Sequence, residues 1–205
     1  MNSYQVQAIF PQAFSSETLK LDVNKISKFC YDLKDKPKVK TEISNRGGWQ
    51  SDDIDIKSIK NSEFVKLLDE IRIGINKVSS YIGIIPKLDI NNIWININQY
   101  GNYNVPHVHH GSILSGTFYV KTPENCGKIE FENPIDCLMG SYLQYWHFKK
   151  GETYDSPWLS PTLEFTCEEN KLIIFPSWLK HGVATNLNAN EDRISIAFNT
   201  KVVRN

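Results

Sequence analysis

Three of the five histidines fall within four residues, in the run Pro106-His107-Val108-His109-His110. His107 and His109 are separated by one residue. On an extended backbone such a pair projects to one side, as two ligands of a single metal ion require. Alone the pair is weak evidence, because histidine clusters are common on protein surfaces. The downstream sequence strengthens it. Leu172-Ile-Ile-Phe-Pro-Ser-Trp-Leu-Lys-His181 is an apolar strand running into a turn, with a histidine at its far end. Twelve residues on, Arg193-Ile194-Ser195 opens another strand-like run, Ile194–Phe198. A non-haem iron site would use a facial set of three such ligands and keep positions open for a bidentate co-substrate and O2. An arginine on the next strand could then fork onto the far carboxylate of that co-substrate. A strand arginine is ordinarily half of a surface ion pair; its place after the third histidine favours the functional reading.

The elements that would position these residues divide in two. Val6–Pro11 reads as a short strand. From Ser16 to about Leu33 the residues Leu19, Val23, Ile26, Phe29 and Cys30 keep a helical period, with Ser15 or Ser16 as the cap. The stretch from Asp35 to Asp53 reads mostly as loop. A second helix is expected over roughly Asn61–Ile82, striped by Phe64, Leu67, Leu68, Ile71, Ile75, Val78 and Ile82. After Leu88 the texture changes to period two, with Ile93, Ile95 and Ile97 alternating with Trp94 and Asn96. Short strands follow at Leu114–Lys121, Lys128–Glu132, Thr162–Cys167, Lys171–Phe175 and Ile194–Val203. Two helices before at least six strands point to helices packed on a sandwich or barrel rather than to a βαβ fold. The longest irregular stretch, Gly140–Pro161, is of the kind that covers active sites, and its His147 reads as unrelated to the metal.

Several polar sets compete for roles near the histidines. Asn96, Asn98 and Tyr100 share a face of their strand, where a ligand or neighbouring strands could satisfy them. Ser115, Thr117 and Tyr119 form another such set, and Tyr119 could reach a bound carboxylate. Trp49, Trp94 and Trp178 read as core packing rather than as substrate platforms.

At 205 residues, with 40% hydrophobic and 22% charged residues, the chain fits one domain: a helical part over about 1–86 and a β core over about 87–205. Formal net charge is zero, which disfavours a nucleic acid partner, and the Lys34–Lys40 run is interleaved with Asp35, as in a solvated loop. No stretch approaches the length of a membrane span. Without a signal-peptide pattern at Met1–Val6, a cytoplasmic protein is expected, with Cys30, Cys126, Cys137 and Cys167 as thiols rather than disulfides.

Residues 47–51 and 94–199 resemble a group of 2-oxoglutarate/Fe(II) oxygenases found in bacteria and phages. The matching motifs are Gly47-Gly48-Trp49-Gln50-Ser51, Trp94-x-Asn96, His107-x-His109 with Ser112 and Leu114-Ser115-Gly116, Phe175–Leu179 leading to His181, and Arg193-Ile-Ser195 through Asn199. The resemblance implies a double-stranded β-helix (jelly-roll) fold with iron at His107, His109 and His181. It also implies 2-oxoglutarate held by Arg193 and Ser195, with Asn98 and Tyr119 as further candidates for contact with the co-substrate. One departure stands out. The wider superfamily usually carries Asp or Glu at the second ligand position, where this chain has His109, and His110 competes for the same slot.

The activity implied is oxidative decarboxylation of 2-oxoglutarate with O2, yielding succinate and CO2 and hydroxylating a second substrate. A peptidyl side chain or a small molecule is favoured there, and a homo-oligomer is compatible with the sequence. The rival reading is a non-catalytic, cupin-like jelly-roll, phage-associated for example, with a vestigial or zinc-filled metal site. A carboxylate fork beside the metal has no use in such a module.

Overall fold

The computed structural model describes residues 12–36, 43–135 and 160–203. Its strands form two antiparallel sheets. The larger sheet contains β1 (Ser15–Thr18), β3 (Trp49–Gln50), β4 (Leu88–Asn98), β6 (Leu114–Lys121), β9 (Lys171–Pro176) and β11 (Arg193–Val202), in the order β1-β9-β6-β11-β4-β3. The smaller contains β2 (Asn45–Arg46), β5 (Tyr103–His107), β7 (Lys128–Glu132), β8 (Thr162–Thr166) and β10 (His181–Val183), in the order β2-β5-β10-β7-β8. Two helices, α1 (Val23–Lys34) and α2 (Ser62–Ile82), precede β4.

Alternation along the strands of the large sheet creates two cores. Ile93, Ile95 and Ile97 of β4, Phe118 and Val120 of β6, Leu172 and Ile174 of β9, and Ile194, Ile196 and Phe198 of β11 face the helices. They meet Ile26 and Cys30 of α1 and Phe64, Leu67, Leu68, Ile71 and Ile75 of α2. Each such side chain withdrawn from water contributes about 1.5–3 kcal/mol. A one-residue bulge extends this core: Asn199 pairs with Asn92 but Thr200 pairs with Ile90. Asn91 is skipped, so Leu88 and Ile90 rejoin the buried face. Gly74 lets α2 come close to β9, because a Cβ there would stand 2.7 Å from Ile174 Cδ1. The opposite residues of the same strands face the smaller sheet. There Tyr119, Ile173 and Phe175 pack with Ile129, Phe131 and Leu179, and the remaining inward positions include Trp94 and Ala197 beside the polar Asn96, Thr117 and Ser195.

The mainly β architecture with N-terminal helices is as the sequence implied, and α2 occupies the expected span. Three local expectations change. Ser15–Thr18 is not the first turn of α1 but an edge strand paired with β9, and α1 begins at Val23, capped by the Asp22 side chain accepting from Lys25 N–H. The 35–53 stretch holds β2 and β3, formed because β5 and β4 offer them partners. Strands β5 and β10 are additional. The expected first strand Val6–Pro11, Gly140–Leu159 of the long irregular stretch, His147 and Cys137 lie outside the described residues. Cys30, Cys126 and Cys167 are free and buried, in keeping with the expectation of thiols. Among the described residues no helix is long and apolar enough to cross a membrane.

Candidate metal and carboxylate site

His107 is the last residue of β5 and His181 the first of β10, and the two are directly paired across the strands. Each ring is fixed by its own strand. His107 Nδ1 lies 2.8 Å from the Val105 carbonyl, and His181 Nδ1 lies 2.8 Å from the Leu179 carbonyl. A carbonyl only accepts, so both Nδ1 atoms carry the proton and both Nε2 lone pairs are free to ligate. His109 follows β5, its N–H donating to the Ser177 carbonyl at 2.9 Å. Ser177 is itself held, since its hydroxyl meets Ser115 Oγ at 2.8 Å and Ser115 donates to Asn199 Oδ1 at 2.6 Å.

The three imidazoles converge: one ligand atom from each lies within 4.8 Å of the others. Their ring centroids are 4.5–5.1 Å apart. His110, the competing candidate, is exposed and stands outside the group. Burial disfavours the charged imidazolium at all three. It lowers His107, brings His109 down to about 4 with the neighbouring His107 adding to the effect, and brings His181 down to about 3. All three are therefore neutral near pH 7, the protonation state a metal needs. Phe175 and Phe131 wall off His181, with ring centroids 4.5 and 5.8 Å away. The group contains no carboxylate among the described residues.

Beside the histidines, between the sheets, lies a cavity lined by Asn96, Asn104, Thr117, Tyr119 and Ser195. Ser195 is paired in register with both Asn96 and Tyr119, which puts the three on one inner face. Arg193 stands two residues before Ser195 on the same face and is 1% exposed. Its Nη1 donates to the carbonyls of Cys126 and of Ala184, the latter at 2.9 Å. Its Nη2 reaches Asn104 Oδ1 at 3.4 Å. Among the described residues no carboxylate pairs with this guanidinium. A buried charge without a counter-charge is costly, so the arrangement suits an anionic ligand. The Tyr119 hydroxyl, also buried, finds no oxygen or nitrogen partner among the described residues; the Cys167 thiol lies beside it. Burial pushes the hydroxyl well above its usual pKa and keeps it a donor.

The remaining candidates are placed differently. Asn98 is fully buried, its Nδ2 donates to Asn45 Oδ1 at 2.7 Å, and it is not among the residues that line the cavity. Tyr100 lies beyond the end of β4 and is exposed, so it leaves the face it was expected to share with Asn96 and Asn98. Trp49 packs on the core as expected. Trp178 is 51% exposed and does not, because it sits in the turn after β9. Trp94 points inward and lines the cavity, 5.7 Å from the His109 ring. Sequence reasoning missed Asn45 and Asn104. Gly48 carried a signal for the first: a Cβ there would lie 2.5 Å from Asn45 Oδ1 and 2.7 Å from Asn98 Nδ2.

Comparison with known proteins gives the family and the fold. The model of a family described as "Putative 2OG-Fe(II) oxygenase" matches residues 92–199, more than half of the chain, and the chain belongs to that family. Curated proteins gave no match. Solved structures with a similar fold include a Pseudomonas putida prolyl-4-hydroxylase at 13% identity, TM-score 0.61, covering 94% of both chains. HygX from Streptomyces hygroscopicus, with nickel and 2-oxoglutarate bound, is similar at 9% identity and TM-score 0.57, over 94% of this chain and 84% of that one. A Trichoplax adhaerens prolyl hydroxylase in complex with a hypoxia-inducible-factor peptide matches at 13% identity and TM-score 0.58, over 91% and 82%. The fold is thus the jelly-roll of this oxygenase class, whose metal and co-substrate are Fe(II) and 2-oxoglutarate.

Proposed function

We propose that the chain is a 2-oxoglutarate- and Fe(II)-dependent dioxygenase that hydroxylates a substrate still to be identified, with succinate and CO2 as co-products. The observation that carries this reading is the juxtaposition of three neutral, converging imidazoles with a buried guanidinium that lacks a carboxylate partner among the described residues. A module that only bound a metal would have no use for the second feature.

His107, His109 and His181 would hold the metal through one ring nitrogen each, leaving the remaining positions for small ligands. When bound, Fe(II) supplies the redox chemistry that couples O2 to the decarboxylation. The chain's own residues bind and orient. With Nη1 committed to two carbonyls, the Nε–H and the second Nη2 hydrogen of Arg193 remain for a carboxylate oxygen pair. The hydroxyls of Ser195 and Tyr119, both on the cavity wall, would donate to the same carboxylate. Asn98 would act behind them, fixing Asn45 and through it the polar wall. The phenyl rings of Phe131 and Phe175 would keep water from the His181 side. Because one protein of similar fold holds a peptide, a peptidyl side chain is the first substrate class to try, followed by small molecules.

The test is release of CO2 from carboxyl-labelled 2-oxoglutarate in air, with Fe(II), measured beside succinate. Equal amounts of both, abolished in His181→Ala, support the reading. A protein that retains iron but yields no succinate above the His181→Ala background would favour a non-catalytic metal site.

A further inference from the structure

Behind Arg193 lies a pair of thiols that the proposed chemistry does not use. Cys126 sits in the β6–β7 turn and Cys167 directly after β8, each 5% exposed and both in the core between the sheets. The β7–β8 register brings them together. Lys128 is paired with Thr166 at the end of that ladder, so Cys126 and Cys167 both leave the same end of it, two residues and one residue beyond. The two thiols share one core cluster with Tyr119, and the Tyr119 hydroxyl and the Cys126 thiol each lie near enough to Cys167 to influence its ionisation. The neighbouring Cys167 thiol, with the charge of Arg193 adding to it against the effect of burial, brings the Cys126 thiol down to about 7. Its partner is raised well above the usual range by the neighbouring Cys126 and by burial. Cys30 offers the contrast: it is buried beneath the helices and its thiol is pushed far up by burial alone. Cys30 is 0% exposed. Cys126, 5% exposed, has the charge of Arg193 and a potential resolving thiol near it, two of the features that mark a reactive cysteine.

We propose that Cys126 and Cys167 are a peroxide-sensitive dithiol whose closure to a disulfide alters the turn that holds the Arg193 guanidinium. The Cys126 thiolate attacks one oxygen of hydrogen peroxide, the O–O bond breaks, and the leaving hydroxide departs as water once protonated. The sulfur is left as a sulfenic acid. The Cys167 sulfur then displaces that hydroxyl, which leaves as a second water as the S–S bond forms. Two thiols are oxidised by two electrons in all and one peroxide is reduced to two waters. The link to Arg193 is direct. The Cys126 carbonyl accepts from Nη1, and a Cβ on Gly127 would lie 2.9 Å from the same nitrogen. A disulfide demands a narrow range of Cα and Cβ separations, so closing it repositions the carbonyl that anchors the guanidinium. The consequence for co-substrate binding rests on the function proposed above.

The test uses the full chain carrying Cys137→Ser, exposed to hydrogen peroxide, then unfolded, alkylated and digested. A Cys126–Cys167 cross-linked peptide and the loss of two alkylatable thiols are expected. The cross-link should form at least about tenfold faster in the folded protein than in the same protein held unfolded in guanidinium, because the fold holds the two sulfurs together. Cys126→Ser and Cys167→Ser should each abolish it. Thiols that stay alkylatable, or a cross-link formed equally fast when unfolded, overturn the dithiol site. With Fe(II) under anaerobic conditions, oxidation should weaken 2-oxoglutarate binding at least about tenfold, and dithiothreitol should restore it, as movement of a buried charge contact implies. A cross-link with unchanged binding overturns the coupling to Arg193. If the reduced protein does not bind 2-oxoglutarate, the functional reading fails, and the alkylation result still decides the dithiol.

Discussion

Removing the arginine fork is the perturbation whose size follows most directly from the structure. Arg193 is 1% exposed, so water cannot replace it at a bound carboxylate. Stranding one partner of a buried, hydrogen-bonded charge pair costs about 2–5 kcal/mol. At about 1.4 kcal/mol per factor of ten, Arg193→Ala should weaken 2-oxoglutarate binding by roughly 30-fold at the low end and several thousand-fold at the high end. The same change strips a donor from the Cys126 and Ala184 carbonyls and from Asn104 Oδ1. Each buried acceptor left unsatisfied costs about 1–3 kcal/mol, so stability should fall as well. Arg193→Lys keeps the charge but cannot serve the carbonyls and a carboxylate together, and should recover part of the loss in both respects. The assay is titration of 2-oxoglutarate into iron-loaded, oxygen-free protein, at a temperature where circular dichroism shows all three forms folded. Iron content should not change, because Arg193 is not among the converging ligands. If Arg193→Ala retains its iron and binds 2-oxoglutarate within about threefold of wild type, a shift worth well under 1.4 kcal/mol, the role given to the guanidinium is wrong.

Other expected outcomes concern the ligands and their support. His107→Ala, His109→Ala and His181→Ala should each lower Fe(II) affinity by more than about 100-fold, beyond the range for losing an outer-shell partner. His110→Ala should leave it unchanged by equilibrium dialysis, and the opposite pattern for 109 and 110 would displace the second ligand by one residue. In the metal-free protein, the folded-state pKa values of His109 and His181, about 4 and about 3, lie below the unfolded value near 6.5. The unfolded chain therefore binds more protons between these limits. Stability is full above pH 6.5 and falls as the pH drops toward 4, by up to about 1.4 kcal/mol per pH unit for each histidine. Urea unfolding at pH 7.5 and 5 checks the sign, and a midpoint that does not fall would refute it. Gly127→Ala introduces a Cβ at φ +87° that would collide with the Ala184 carbonyl oxygen. It should cost at least about 1–3 kcal/mol of stability and weaken 2-oxoglutarate binding with it, as strained backbone positions do. Thermal unfolding and the anaerobic titration report the two effects.

Much of the site was legible because its residues lie where local patterns are strong. The alternation of Ile93, Ile95 and Ile97 marked β4, and the His-x-His spacing, the later histidine and the strand arginine survived as a group. The choice between His109 and His110 was not legible, since it depends on where β5 ends. What holds His109 in place is the Ser177 carbonyl, some seventy residues away, which no local pattern reports. Strands β5 and β10 escaped notice for a similar reason. They are short, β5 contains Pro106, and they are defined by pairing with each other and with β2 and β7, elements distant in sequence. The start of α1 was misjudged because Leu19 fits a helical period yet is buried beside an edge strand whose partner, β9, is about 155 residues away. The proximity of Cys126, Cys167 and Arg193 is wholly a product of sheet pairing and has no sequence signature.

The central claim is that His107, His109, His181 and Arg193 form one site for Fe(II) and 2-oxoglutarate. The most direct measurement is the weak visible absorption of 2-oxoglutarate chelated to Fe(II), followed anaerobically as each component is added to the protein. The band should appear only when both are present, saturate at one equivalent of each per chain, and be absent from His181→Ala. No saturable band in a protein that has bound its iron, or an equal band in His181→Ala, would contradict the account.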